Sequence, residues 1–505
     1  MRRFSLESAL LLLIVLTYLV VAGLYAIRTP DWQTPDEPAH YNYIRQVAEE
    51  GQIPVIEQDD WDRAYLNTLT GSRFAPELLD DLDEIEYEDH QPPLYYVLAA
   101  PVFAVTGGDL TALRLFSVLI GLVIVISAYG IGRALYPDRP GVGLGAAAFV
   151  AFLPQHVVFL ASANNDALGW AIVAVALWAT VGYLKQPLDA PNTRFMIQAW
   201  HLGLIVGIGL ITKATTYFLA GVIPVAIILH HLSPPPTPPQ RFREGRRGGV
   251  LRELALFLLP ALILGGAWWL RNLDVYGVPD FLGLRAHDAV VADQPRTADY
   301  IAQFGWDDYL RKAAQDTVQS FISQAGWMAL PLPAPYYIVF LGGVVFALSG
   351  WAVRAMHLPD DSLTPYLEED EHSSERQRQL HAWIVLTLTM LLAALAYVYY
   401  NTEFLQLQGR YTYPLLIPLG LVLALGVDAW RRALLPRPRL NPRQVLRLFR
   451  RRQVRRALQP QEGTAVEEPE EEDASTGWWL TPLFFYSLAA LDVWLLWRVI
   501  VSNLS

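Results

Sequence analysis

The chain has no cysteine among its 505 residues, which excludes disulfides, thiolate metal ligands and a thiol nucleophile. Loops exposed to an oxidising compartment must therefore hold their shape by packing. A broad basic surface is also missing. The net charge is −11, and arginine and lysine cluster only in short loops between apolar runs, which argues against nucleic-acid binding. No internal repeat is present. No small-x-small cleavage site follows the first apolar run, so Met1-Arg2-Arg3 and the stretch after it read as a retained signal anchor with the N-terminus inside.

What is present in quantity is apolar sequence. The chain is 53% hydrophobic with a mean hydropathy of +0.26, and long apolar runs recur, which indicates a polytopic membrane protein. Many of the 16 Trp and 24 Tyr lie near the ends of those runs, as interfacial anchors do. The expected fold is all-α, with about eleven transmembrane helices, each needing about 20 apolar residues. They fall near 8–27, 112–135, 141–162, 165–185, 198–213, 214–232, 250–270, 335–355, 381–400, 411–432 and 478–500. Pro92–Thr106 is apolar but short, and reads as a helix in the interface or re-entrant from it. With that segment not crossing, the Arg-rich loops all fall on the inner side, and 28–111 and 271–334 become the two large outer loops.

Three regions follow: a transmembrane domain over 1–432, a basic helix and acidic disordered tether over 433–476, and a last helix within 477–505. The inner segment around 233–239 is a stiff proline-rich linker.

Candidate chemistry gathers on the outer side. In Thr34-Pro35-Asp36-Glu37-Pro38-Ala39-His40-Tyr41, two adjacent carboxylates and a histidine open a short amphipathic helix ending near Gly51. Asp36 either takes a proton from an acceptor hydroxyl or caps that helix. His90-Gln91-Pro92-Pro93-Leu94-Tyr95-Tyr96 opens the short apolar segment. His90 there either donates to a phosphate or merely begins an interfacial helix. Asn165 and Asp166 lie on an outer turn. Lys213 interrupts a long apolar run, Arg271 ends a span, and Arg410-Tyr411 begins another. Cations on an outer face run against the positive-inside bias, which marks Lys213, Arg271 and Arg410 as candidate anion ligands. Asp492, deep in the last helix, is set apart as a group facing a polar partner between helices.

On Asp36–Tyr41, His90–Tyr96, Arg114-Leu115, Asn165-Asp166-Ala167, Thr212-Lys213, Arg271-Asn272 and Gln408–Pro414, the chain resembles GT-C class glycosyltransferases. Among these it is similar to bacterial relatives of the dolichyl-phosphate-mannose–protein mannosyltransferases. The resemblance spans about residues 5–432 and departs from the commoner pattern at His90-Gln91-Pro92-Pro93, where a basic residue usually precedes the proline pair directly. It implies an inverting transfer from a polyprenyl-phosphate sugar to an acceptor hydroxyl on protein, lipid or glycan, at the extracytoplasmic face of the plasma membrane. In that scheme Asp36 is the general base and Glu37 positions Asp36 or the sugar. His40, His90, Asn165, Asp166, Lys213, Arg271, Arg410 and Tyr411 bind substrate, with the phosphate near Arg410 and Lys213. No cofactor or divalent metal is expected, because the leaving group is a monophosphate and Glu37-x-x-His40 offers only two ligands. The rival readings are a lipid-linked-sugar flippase, disfavoured because charge sits at the rim and not the midplane, and a non-catalytic envelope-assembly protein.

Overall fold

The computed structural model describes residues 5–186, 196–232, 245–356, 369–435 and 477–504. The proline-rich linker at 233–239 and, from 436 on, the basic and acidic segments expected within 433–476 lie outside the described residues. The helices are α1 (Leu6–Arg28), α2 (Glu37–Glu50), α3 (Arg63–Gly71), α4 (Leu94–Thr106), α5 (Leu110–Leu135), α6 (Pro140–Ala151), α7 (Pro154–Leu160), α8 (Asp166–Lys185), α9 (Ala199–Leu210), α10 (Leu219–Leu232), α11 (Gly245–Tyr276), α12 (Leu284–Val290), α13 (Thr297–Phe304), α14 (Trp306–Ile322), α15 (Ala334–Met356), α16 (Glu369–Glu403), α17 (Leu416–Leu434) and α18 (Leu480–Leu495). Strand structure among the described residues is one antiparallel pair, β1 (Gln324–Ala325) with β2 (Leu330–Pro331).

Helix starts follow side-chain chemistry. Ser5, Asp62 and Asp109 accept the N–H of Ser8, Tyr65 and Ala112 at 3.1, 2.9 and 3.0 Å, satisfying donors that a helix N-terminus leaves open. Pro154 ends α6 by denying it a backbone donor, and α7 departs at 64° from α6. His156 Nδ1 then donates to the freed carbonyl of Val150 at 2.8 Å.

Nine described helical segments are individually long and apolar enough to cross a membrane, ten if the bent α6–α7 pair is one span. The difference from eleven lies in α9, whose 12 residues rise only about 18 Å. Its flanks nevertheless run antiparallel to α8: Gly182 lies against Ile197, and Gly169 against the Lys213 side chain. The chain thus returns along α8 to bring Lys213 back to the level where α8 begins. Within Pro92–Thr106, Leu94–Thr106 forms the short α4, 13 residues long, packed between α2 and α5.

Small residues let the bundle close. Eleven of the 12 residues of α6 are buried, and a Cβ on Gly132 of α5 would stand 2.4 Å from Gly143 Cα. At the α15–α17 crossing, a Cβ on Gly426 would stand 1.8 Å from the Ala347 carbonyl oxygen. Helices that share no hydrophobic drive in lipid associate through such close backbone contact. The effect is a rigid frame whose end, at the starts of α2, α4 and α8, carries the polar residues.

Candidate active site

Asp36 occupies the left-handed region, at φ +68° and ψ −4°. Few residues other than glycine adopt it, aspartate and asparagine most readily. The twist turns the carboxylate away from the helix it precedes, so Asp36 makes no side-chain cap. Instead Oδ1 accepts the Tyr87 hydroxyl at 2.9 Å and Oδ2 pairs with Arg410. The capping alternative is therefore not realised.

Arg410 arrives on the 3-10 turn Gly409–Leu415. Its predecessor must be glycine, because a Cβ at 409 would stand 2.5 Å from the Phe321 backbone. The guanidinium is 3% exposed and lies over the Phe159 and Tyr411 rings, at 4.4 and 5.0 Å. Its Nη1 stands 3.5 Å from Asp166 Oδ2. Asp166 Oδ1 is 2.6 Å from Lys213 Nζ, and Lys213 also donates to Asn165 Oδ1 at 2.6 Å. Asn165 Nδ2 reaches the Tyr96 hydroxyl at 3.1 Å, and that hydroxyl meets His40 Nδ1 at 2.9 Å. One unbroken polar chain thus runs Asp36–Arg410–Asp166–Lys213–Asn165–Tyr96–His40. Its members come from the first loop, α4, α8, the α9–α10 break and the turn before α17.

The electrostatics of these loop groups follow from that wiring. Burial pushes the Asp36 carboxyl up, but the Arg410 charge and the hydrogen bonds from Arg410 and Tyr87 outweigh it and hold Asp36 below its usual range. Burial, then the Lys213 charge, pushes His40 down to about 3, so His40 is neutral near pH 7. Burial, then the Asp36 charge, pushes Glu88 up to about 8.

Residues 90–235 match the family model described as dolichyl-phosphate-mannose-protein mannosyltransferase. The matched stretch holds His90, Asn165, Asp166 and Lys213 but not Asp36 or Arg410. No curated protein matches the chain. Among solved structures it is similar to ArnT from Cupriavidus metallidurans bound to undecaprenyl phosphate, at 16% identity and TM-score 0.38, covering 95% of this chain and 87% of that one. It is also similar to the archaeal oligosaccharyltransferase AglB from Archaeoglobus fulgidus in complex with an inhibitory peptide and a dolichol-phosphate. There the identity is 10% and the TM-score 0.43, covering 97% of this chain and 56% of that one. Superpositions that loose transfer no residue assignments.

Three expected site residues have other employment. Glu37 is fully buried and receives Arg114 Nε at 2.8 Å, Arg114 Nη2 at 2.6 Å and the Ala163 N–H at 3.1 Å. Arg114 also donates to the Thr29 and Pro30 carbonyls, at 2.7 and 3.1 Å. Glu37 is therefore the tie between the first loop, α5 and the α7–α8 turn, with three donors on its two oxygens. His90 is held neutral, well below its usual value, by burial and then by the neighbouring His287. Its Nδ1–H goes to the Tyr87 carbonyl at 3.2 Å, and Nε2 faces Gln91 Nε2 at 3.3 Å, which leaves it no proton for a phosphate. Arg271 stacks on Trp268 and Tyr276 and donates to the Ile53 and Pro54 carbonyls. It braces the loop after α2 and makes no contact with the Asp36 chain. Tyr411 stays at the site, its hydroxyl 3.3 Å from Arg410 Nη2.

Tyr87, Glu88, Tyr96 and Arg114 belong to the site or its support; Tyr96 and Arg114 lay in stretches that carried the resemblance but had no role attached, and Tyr87 and Glu88 lay outside them. Tyr87 and Glu88 are separated by Asp89 alone from the His90-Gln91-Pro92-Pro93 motif, inside an acidic run. Their position next to that motif was the available signal.

Proposed function

We propose that this protein is an inverting glycosyltransferase that moves a sugar from a polyprenyl-phosphate carrier to an acceptor hydroxyl at the extracytoplasmic face. The observation that carries the reading is the alternation Asp36–Arg410–Asp166–Lys213. Two buried cations from separate elements are held one carboxylate apart, next to an ionised acid whose backbone is twisted to face them. A phosphate on Arg410 and Lys213 would meet fixed positive charge as it leaves, the kind of stabilisation that usually contributes most in such sites. Asp36, freed from Arg410 by that phosphate, would take the acceptor proton. The match of residues 90–235 to a mannosyltransferase family model supports a sugar-transfer reading.

The distribution of charge supports the proposed side of the membrane. Arg133, Lys185, Arg354, Arg431 and Arg432 lie in the last turns of α5, α8, α15 and α17. For α5, α8 and α17 those ends are opposite to the site, and the positive-inside bias favours the cytoplasmic side for them.

The test is direct. Protein purified into nanodiscs is incubated with labelled undecaprenyl-phosphate sugars and with peptide, lipid and glycan acceptors, and release of undecaprenyl phosphate is followed. Labelled product that requires Asp36 and Arg410 supports the reading. Movement of the lipid across the bilayer with no bond cleavage would replace it with a flippase.

A further inference from the structure

Asp36 can receive a proton, but nothing assigned so far can give one to the departing phosphate. Glu88 is placed to do so. It directly follows Tyr87, whose hydroxyl holds Asp36. Its Oε2 is buried and has no hydrogen-bond partner, whereas both Asp36 oxygens receive donors. The charges that act on it across the site are those of Asp36, Lys213 and Arg410, with Gln91 beside it. Tyr96 from α4 and Tyr400 from α16 feel its charge in turn. The neighbouring Asp89 also has a buried oxygen without a partner, Oδ1, but its Oδ2 takes Gln46 Nε2 at 2.8 Å, and the charges acting on it are those of the acids Glu86, Asp60 and Glu88.

An ionised carboxylate with a buried, unpartnered oxygen is costly, and a neutral carboxyl in the same place is much less so. A neutral carboxyl also has a hydrogen to offer the next oxygen that arrives. In this site that oxygen belongs to whatever anion sits on Lys213 and Arg410.

We propose that Glu88 is the general acid of this site, protonating the phosphate oxygen as the anomeric C–O bond breaks, while Asp36 on the other side takes the acceptor's proton. The inference rests on the glycosyl-transfer reading above. The balance closes. The donor phosphodiester carries one negative charge, and the bond from the anomeric carbon to its oxygen breaks as the acceptor oxygen bonds to that carbon. Asp36 gains the acceptor proton and Glu88 loses its own to the leaving prenyl phosphate, which departs as the monoanion. Return of the proton from Asp36 to Glu88 resets the pair. Two carboxyls whose surroundings push their proton affinities apart mark an acid and a base. Asp36 lies below its ordinary value, and Glu88 is pushed up to about 8.

Two measurements test this. Infrared difference spectra of wild type against Glu88→Gln in nanodiscs at pH 7 should contain a protonated-carboxyl band from wild type that fades as pH rises through about 8. A Glu88 already ionised at pH 7 overturns the proposal whether or not a donor is known. With undecaprenyl-phosphate mannose, or another undecaprenyl-phosphate sugar that the wild type turns over, Glu88→Gln should lower kcat about 100-fold, within the usual range for one proton-transfer group. It should also remove the alkaline fall of the pH–rate profile. Glu88→Asp should recover part of the rate, and Asp89→Asn should behave as wild type. A Glu88→Gln protein that folds, as judged by thermal unfolding, and retains both the rate and the alkaline fall refutes the acid role. If wild type transfers no sugar from any donor, the function proposed above fails and the acid role with it. The infrared band would still report whether Glu88 holds a proton.

Discussion

Replacing Asp36 by asparagine should do two opposite things: abolish transfer and tighten binding of the carrier phosphate. The side chain keeps its shape, its one amide oxygen can still accept from Arg410, and its NH2 can donate to the Tyr87 hydroxyl oxygen, so the fold has little reason to change. What disappears is one negative charge in contact with Arg410. Two unit charges about 4 Å apart attract by about 4 kcal/mol at an effective dielectric of about 20. A phosphate must first displace that carboxylate and then sit beside it. Arg410 still keeps its second acidic neighbour, Asp166, at 3.5 Å, so only part of the attraction is returned to the ligand. A net gain of roughly 1–2 kcal/mol is expected, about tenfold in affinity. The assay is equilibrium binding of undecaprenyl phosphate to wild type and Asp36→Asn in nanodiscs, run beside turnover. The contact is almost buried, so the gain should persist at high salt. Unchanged or weaker binding would mean that the phosphate does not compete with Asp36 for Arg410, and the phosphate site would have to be moved. Retained turnover would remove Asp36 as the base.

Arg410→Ala should weaken undecaprenyl phosphate binding by about 10- to 100-fold, from loss of a charged contact worth about 1.5–3 kcal/mol; unchanged affinity counts against its phosphate role. Arg114→Met should destabilise the protein by about 3–5 kcal/mol, because it strands the buried Glu37 charge. Glu37→Gln with Arg114→Met together should cost less than Arg114→Met alone, measured by thermal unfolding in detergent. Gly409→Ala should impair folding or misplace Arg410, since its Cβ meets backbone and not a movable side chain; normal donor affinity in that variant would contradict the close approach. His40 and His287, depressed to about 3 and 4 by burial, exclude protons that the unfolded chain binds below 6.5, so each contributes stability that is lost as pH falls from about 6.5 to 4, while Glu88, pushed up to about 8, acts in the opposite sense. His287→Gln should therefore keep more of its melting temperature than wild type between pH 7 and 5; an equal change in the two proteins would refute this.

The membrane architecture was legible because the apolar runs are long, and the polar segments at the site were legible because cations there interrupt or flank those runs. The α2 helix was legible at 38–51 from Pro38, Gly51 and its apolar face, and it spans Glu37–Glu50. Two adjacent carboxylates, however, look alike on paper. Asp36 faces the cations only because its backbone is left-handed, while Glu37, one residue inside the helix, points back to Arg114. That division depends on a partner 77 residues away, which no local pattern encodes. Tyr87 and Glu88 stayed hidden for a related reason: an acidic, solvated-looking run gave no sign that its last residues fold under the rim. Arg271 illustrates the converse. An arginine at the end of a span can be consumed by loop carbonyls, and hydropathy alone does not distinguish that from an anion ligand.

The left-handed backbone at position 36 narrows what can replace the acid. Glycine would tolerate the twist but carry no carboxylate, asparagine would fit but hold no charge, and β-branched residues would meet the highest steric cost. A copy of this chain that kept its shape without the proposed base should therefore carry Asn or Gly there.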